Sequence, residues 1–277
     1  MSLAIVIKGT EGIVLAVDSR VTLTAQGPSP IPNTVALMPC TFDNATKLLQ
    51  VPGQKFVGAV TYGAGAIGKR QPRTAHSFMP EFEAELSKNN SGKRLSVKAF
   101  AEKLSEFFQR QWRELEMPAQ VAPGATMIFY VAGYNEGEPY GRVYELRIPN
   151  EPVPKEWHAD DFGVVWGGQQ EFVNRLILGF DPQLCDVAQE LLKFTDEQKV
   201  ALAKHLSSRL QASVPFQFIP LQDCINLAIL LIRVTMTIQT FLLGVRGVGG
   251  AIDVASITKT DGINPIQAKS LKGEIVN

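Results

Sequence analysis

The sequence predicts an α+β fold, with strands, two helices, more strands, further helices and a last strand in that order. Three observations carry this expectation. Two apolar runs, Leu3–Ile7 and Ile13–Val17, open the chain on either side of Lys8-Gly9-Thr10-Glu11-Gly12. Apolar residues then recur at helical spacing, first Phe78, Phe82 and Leu86, then Phe100, Leu104, Phe107 and Phe108, which marks helices over 74–88 and 96–116. β-Branched and aromatic runs return at 125–134 and 141–148, the composition that suits strands.

Each element has its local signal. A hairpin centred on the Gly9–Gly12 turn sets Leu3 opposite Asp18 and Ser2 opposite Ser19, so the first hydroxyl sits beside a carboxylate and the Arg20 guanidinium. Residues 25–44 hold four prolines without periodicity and read as a long loop. Lys47–Val51 and Phe56–Tyr62 read as a second hairpin with Pro52-Gly53-Gln54-Lys55 as its turn, pairing Lys47 with Val60. Lys55 then lies about 26 Å from Lys47, at roughly 3.3 Å per residue, beyond the reach of any side chain.

Ser96 fits an N-cap and Pro118 an end for the second helix. Asn135–Glu138 links the strands at 125–134 and 141–148. A strand over Phe162–Trp166 leads into a helix over Gln170–Leu178. Residues 179–219 form a helical insertion, with a capping-box pattern at Thr195–Gln198 and Leu202, Leu206 and Leu210 on one face. Ile225–Val245 is apolar over about twenty residues, long enough to span a bilayer. Arg233 near its middle would cost roughly 2.5–3.5 kcal/mol there, so a helix buried in protein is the expected reading.

Bulk properties set limits. The chain has 277 residues, and Lys plus Arg equals Asp plus Glu at 27 each. The expectation is one domain over 1–277 with insertions, without the electrostatics that draw nucleic acid or an anionic membrane. Cys40, Cys185 and Cys224 are too few and too far apart for a disulfide framework or a Cys-x-x-Cys metal site. The short N-terminal apolar run is no signal peptide, which makes the cytoplasm the expected compartment. His76, His158 and His205 lack metal-ligand spacing, and Asp160-Asp161 reads as a solvated turn. Gly63-x-Gly65-x-x-Gly68 follows a strand, but Glu81, Glu83 and Glu85 fall in helical sequence, which argues against dinucleotide binding.

The chemistry begins at Ser2. Met-Ser is a common chain start and by itself specifies nothing. Methionine aminopeptidases remove Met before a small residue, however, and an N-terminal Ser carries its own base, an α-amine of pKa about 7.7–8.0. The surrounding pattern resembles the proteasome β-subunit superfamily of N-terminal-nucleophile hydrolases, in its divergent bacterial form. In that family a nucleophile opens a strand, and Asp-(Ser/Thr)-Arg ends the next strand sixteen residues later, as Ser2 and Asp18-Ser19-Arg20 do here. Its catalytic Lys corresponds to Lys47 and its oxyanion-binding turn to Val60–Ala66, with Gly63 the best match. Ile128–Tyr134 and Val248–Val254 are similar to its central strand and to its turn and strand after the third helix.

This resemblance implies a four-layer αββα sandwich interrupted by the 25–44 loop and the 179–219 helices. It implies peptide hydrolysis through an acyl-enzyme on Ser2, with Asp18, Lys47 and Gly63 in the site and no cofactor. The implied setting is a ring-shaped homo-oligomer acting on unfolded polypeptide, with an ATP-dependent unfoldase as a possible partner. The chain departs from the family at Gly168, Val245 and Val248, where the family places Ser, Asp and Ser. Two other expectations stay open: a small-molecule amidase of the same fold, and an assembly subunit without activity.

Overall fold

The computed structural model describes residues 2–28, 35–69, 71–90, 93–270 and 273. They form two compact units, one of Met1–Gly168 with Phe216–Asn277 and one of Gln169–Pro215. The first unit opens with β1 (Leu3–Lys8) and β2 (Ile13–Asp18), every residue of which is buried. Gly9 N–H donates to Gly12 O at 3.0 Å, and β1 and β2 pair from Ala4–Val17 to Lys8–Ile13, the register expected from sequence. There follow β3 (Val21–Pro28), β4 (Val35–Phe42), β5 (Leu48–Gln50), β6 (Val57–Gly63), β7 (Ala66–Ile67) and β8 (Arg73–Thr74). Helices α1 (Met79–Asn90) and α2 (Val97–Glu114) precede β9 (Met127–Gly133), β10 (Arg142–Ile148), β11 (Glu151–Trp157) and β12 (Gly163–Gly168). Helix α6 (Leu221–Gln239), β13 (Ile252–Thr258) and β14 (Gly262–Gln267) complete this unit after α3 (Glu171–Ile177), α4 (Gln183–Leu192) and α5 (Asp196–Leu210) of the other.

Two five-stranded antiparallel sheets dominate the first unit, ordered β12-β1-β2-β13-β14 and β11-β10-β9-β6-β5. They share a core in which Val6, Leu15, Val17 and Val165 meet Val60, Tyr62, Tyr130 and Ala132. The expected aromatic stripes face the second sheet: Phe82 of α1 meets Phe100 of α2 edge to face at 5.5 Å, and Phe108 reaches Phe129 of β9 at 4.7 Å. Ser96 caps α2, its hydroxyl accepting from Ala99 N at 3.1 Å. Helix α6 is the one described helix long and apolar enough to cross a membrane. It buries Cys224, Ile225, Ala228, Leu231 and Ile232 against β1, β2 and β13, and Arg233 lies on its exposed face.

Two expectations need correction. No four-layer αββα sandwich is evident; the fold is mixed α/β, with several antiparallel sheets and six described α-helices. Two-stranded sheets β3-β4 and β7-β8 stand outside the larger pair, helices α3–α5 belong to the second unit, and α6 alone is no layer. The 25–44 stretch is not a loop throughout: Val21–Phe42 and Pro28–Val35 bound the β3-β4 pairing. A two-stranded ribbon is all edge, and Pro is compatible with an edge position; Pro39 pairs with Thr24. Residues 29–34 of that stretch lie outside the described residues. The sequence also conceals β11, because Pro152 and Pro154 interrupt it; it too is an edge strand.

The second unit, Gln169–Pro215, bears out the capping box at its centre. Thr195 Oγ1 accepts from Gln198 N at 3.3 Å, while Gln198 Oε1 accepts from Thr195 N at 2.9 Å.

Candidate active site

The first hairpin places Ser2 and Asp18 at one end of the sheet. Ser2 is 4% exposed and Asp18 fully buried. Each Asp18 oxygen accepts two bonds. Oδ1 takes Leu3 N at 3.0 Å and Lys47 Nζ at 2.9 Å; Oδ2 takes Arg20 N and Gly249 N, both at 3.1 Å. Three backbone donors and one cation thus hold the buried carboxylate, meeting the requirement that such a charge be fully partnered.

Lys47 comes from the second hairpin. Its Nζ is 2.8 Å from Ser2 Oγ, 2.9 Å from Asp18 Oδ1 and 2.6 Å from Arg20 O. An ammonium has three N–H donors, and all three find acceptors here. The register is one residue away from the expected one: Leu48, not Lys47, pairs with Val60, and Thr61 N donates to Lys47 O at 3.0 Å. Buried Gln54 causes the shift. Its side chain binds Lys93 O and Leu95 N, both at 2.9 Å, which centres the turn on Gln54. Lys55 lies in that turn, with its ammonium over the Phe56 ring at 5.7 Å, well away from Ser2.

Burial pushes the Lys47 pKa below its ordinary 10.5, while Asp18 pulls in the opposite direction. Two neighbours differ from expectation. Arg20 does not face Ser2; its guanidinium grips Asp43 at 2.5 and 2.7 Å and holds that carboxyl below its usual range. Ser19 turns its hydroxyl to Asp43 O at 2.6 Å. Asp43 and Gly249 are the site residues the sequence conceals: Asp43 sits within the Pro-rich 25–44 stretch, and Gly249 is 231 positions from its partner.

A cleft of about 380 Å³ opens beside Ser2, lined by Lys47, Thr22, Gly63 and small apolar residues. Thr61 N–H points to Lys47 O, and strand alternation turns the Gly63 N–H to that same edge, past the end of β5. Gly63 has φ +83°, and a Cβ there would come within 2.2 Å of Thr126 O. Gly168, at the position of the family's Ser, has φ +100°, and a Cβ would lie 1.9 Å from Ser2 O. Val248 is 2% exposed and Val245 43%; the backbone N–H of Gly249 reaches Asp18 instead. Among the described residues no three His, Cys, Asp or Glu groups gather as a metal site. The Gly63–Gly68 stretch holds β7, which pairs with β8, and does not open a helix, so it is not a dinucleotide turn.

No family model matches the chain, and no curated protein matches it. Solved structures do. The helical assembly of the Anbu complex from Pseudomonas aeruginosa aligns with TM-score 0.53 and 15% identity, over 98% of this chain and 88% of that one. Anbu (ancestral beta-subunit) from Yersinia bercovieri aligns with TM-score 0.51 and 13% identity, over 95% and 86%. At these identities the likeness is one of fold alone. The resemblance to the proteasome β-subunit superfamily is corrected accordingly: motif order and spacing suggest it, but no family match supports membership.

Proposed function

We propose that this chain hydrolyses amide bonds through an acyl-enzyme on Ser2. The observation that carries the reading is the Lys47 Nζ placed 2.8 Å from Ser2 Oγ while anchored on Asp18 and the Arg20 carbonyl, beside a cleft. Met1 lies outside the described residues; its removal frees the Ser2 α-amine as general base. The amine takes the hydroxyl proton, and the Lys47 ammonium, already donating to Oγ, stabilises the developing alkoxide. Oγ attacks the carbonyl, the Gly63 N–H receives the oxyanion, and the amine returns the proton to the leaving nitrogen. Water then cleaves the ester with the same amine as base.

Unfolded polypeptide is the proposed substrate, within a homo-oligomeric ring that keeps the sites from folded proteins and that an ATP-dependent unfoldase can feed. The helical assembly of the Pseudomonas protein supports self-association without specifying a ring. A fluorogenic peptide together with an N-terminal-nucleophile inhibitor tests the chemistry. The expected result is turnover, one inhibitor adduct on Ser2 and an intact mass lacking Met1. Active protein that retains Met1 throughout excludes the amine as base. Light scattering at micromolar protein should show a multi-subunit particle, and a stable monomer would favour the small-molecule amidase.

A further inference from the structure

A second cavity lies at the far end of β1 from the nucleophile. It measures about 290 Å³ and is lined by Lys8, Glu138, Tyr140, Arg142, Asp160 and Phe162, among others. These residues come from the end of β1, the turn before β10 and the loop before β12. Extended chain carries Lys8 about 20 Å from Ser2 at roughly 3.3 Å per residue, so this cavity is separate from the Ser2 cleft.

Lys8 stands out within it. The residue is 3% exposed, and among the described residues the hydrogen-bond acceptor of its Nζ is the His158 carbonyl. An ammonium has three donors, so two are left over. Asp161, Glu156 and Asp160 attract it only through space, while burial, and after it the Arg142 charge, pushes its pKa below 10.5. Arg142 is itself held by Glu138 at 2.7 Å and by Glu156 at 3.0 Å, which engages those two carboxylates elsewhere. Buried charges are as a rule paired, and this one lacks a counter-ion in contact.

The rest of the wall indicates what would complete it. Tyr140 and Phe162 meet edge to face with centroids 5.0 Å apart and give an apolar side, and Lys8 Nζ stands 5.7 Å from the Phe162 centroid. Asp160 is exposed at the rim, and Asp161 beside it is engaged by the His158 ring at 2.7 Å. Glu138, Asp160 and Asp161 outnumber Lys8 and Arg142, which disfavours a phosphate or any other polyanion. A single carboxylate suits Lys8, and an ammonium on the same ligand suits the acidic rim. Pockets for drug-sized ligands start near about 300 Å³, so the volume fits a small molecule.

We propose that this cavity binds a free α-amino acid with an apolar side chain, its carboxylate on Lys8 Nζ, its ammonium toward Asp160 and its side chain against Tyr140 and Phe162. The site stands apart from the hydrolase reading and does not depend on it.

Titrations of the whole protein with L-phenylalanine, 3-phenylpropionate and 2-phenylethylamine, followed by ligand-observed NMR, test the proposal. Phenylalanine should bind. Phenylethylamine, without the carboxylate, should bind at least about tenfold more weakly, the loss of a buried charged hydrogen bond. Phenylpropionate, without the ammonium, should bind about two- to fivefold more weakly, the worth of an exposed ion pair. Lys8→Met should weaken phenylalanine at least about tenfold, while the melting temperature of the free protein holds or rises, because a buried charge is gone. Asp160→Asn, an exposed change, should weaken phenylalanine about two- to fivefold without weakening phenylpropionate. No binding of phenylalanine up to about 10 mM, phenylethylamine binding as tightly, or unchanged binding in Lys8→Met overturns the site. Phenylpropionate binding as tightly as phenylalanine, or weakened equally by Asp160→Asn, overturns the amino-acid class. Should Lys8→Met fail to fold, the three ligands on wild-type and Asp160→Asn protein still decide both points.

Discussion

Replacing Lys47 with Met tests the site most directly, since it keeps the aliphatic stem and deletes the ammonium. Three hydrogen bonds go with it, to Ser2 Oγ, Asp18 Oδ1 and Arg20 O. Asp18 then becomes a fully buried carboxylate without a counter-ion. Breaking a buried pair this way costs about 3–5 kcal/mol. Asp18 retains its backbone donors Leu3, Arg20 and Gly249, so the low end applies and the fold should survive. The chemical step loses a donor poised on the developing alkoxide, an effect of about 100- to 1000-fold. Urea denaturation measures the first quantity and the rate of inhibitor adduct formation, followed by intact mass, the second. A Lys47→Met protein that is acylated at the wild-type rate would refute the assignment of this lysine, whatever its stability.

The pH dependence follows from the same group. The folded Lys47 pKa is depressed below 10.5, so between that lowered value and 10.5 the unfolded chain binds more proton. Stability in urea should rise with pH across this window and fall as pH drops through the folded value, and the alkaline limb of acylation should lie below pH 10.5. Gly168→Ser, which installs the family's residue, should lower the melting temperature and abolish acylation, because its Cβ would meet Ser2 O at 1.9 Å; wild-type melting would show that β12 relaxes without cost. Lys55→Ala should leave peptide turnover within about twofold of wild type, a surface change away from the site, and a large loss would mean that the second hairpin is read wrongly.

Local contacts were the most legible part of this molecule. The Ser2–Asp18 hairpin could be read because two uninterrupted apolar runs and a Gly-x-x-Gly turn admit one register. Lys47 could be placed near Ser2, but the pairing beside it depended on Gln54 reaching Lys93 and Leu95, contacts that no local pattern announces. Prolines hid β3, β4 and β11, because a breaker in sequence is tolerated at an edge that only the folded sheet defines. The arrangement of the helices was misread because the number and apolarity of helices do not say which of them share a unit. Gly63 and the turn holding Gly249 come into view only through the resemblance, which gives Gly249 no link to Asp18, because a contact across 231 positions leaves no local pattern.

The four bonds on Asp18 bear on when the site comes into being during synthesis. Three of the donors, from Leu3, Arg20 and Lys47, leave the ribosome early, whereas Gly249 is made 231 residues after Asp18. Contacts of such separation close late in folding, once the entropy of a long loop has been overcome. A nascent chain can therefore build its opening hairpins while the carboxylate still lacks its last donor. The carboxylate that anchors Lys47 beside Ser2 is therefore fully partnered only after residue 249 has emerged, so under the proposed hydrolysis Ser2 gains its complete setting late in synthesis.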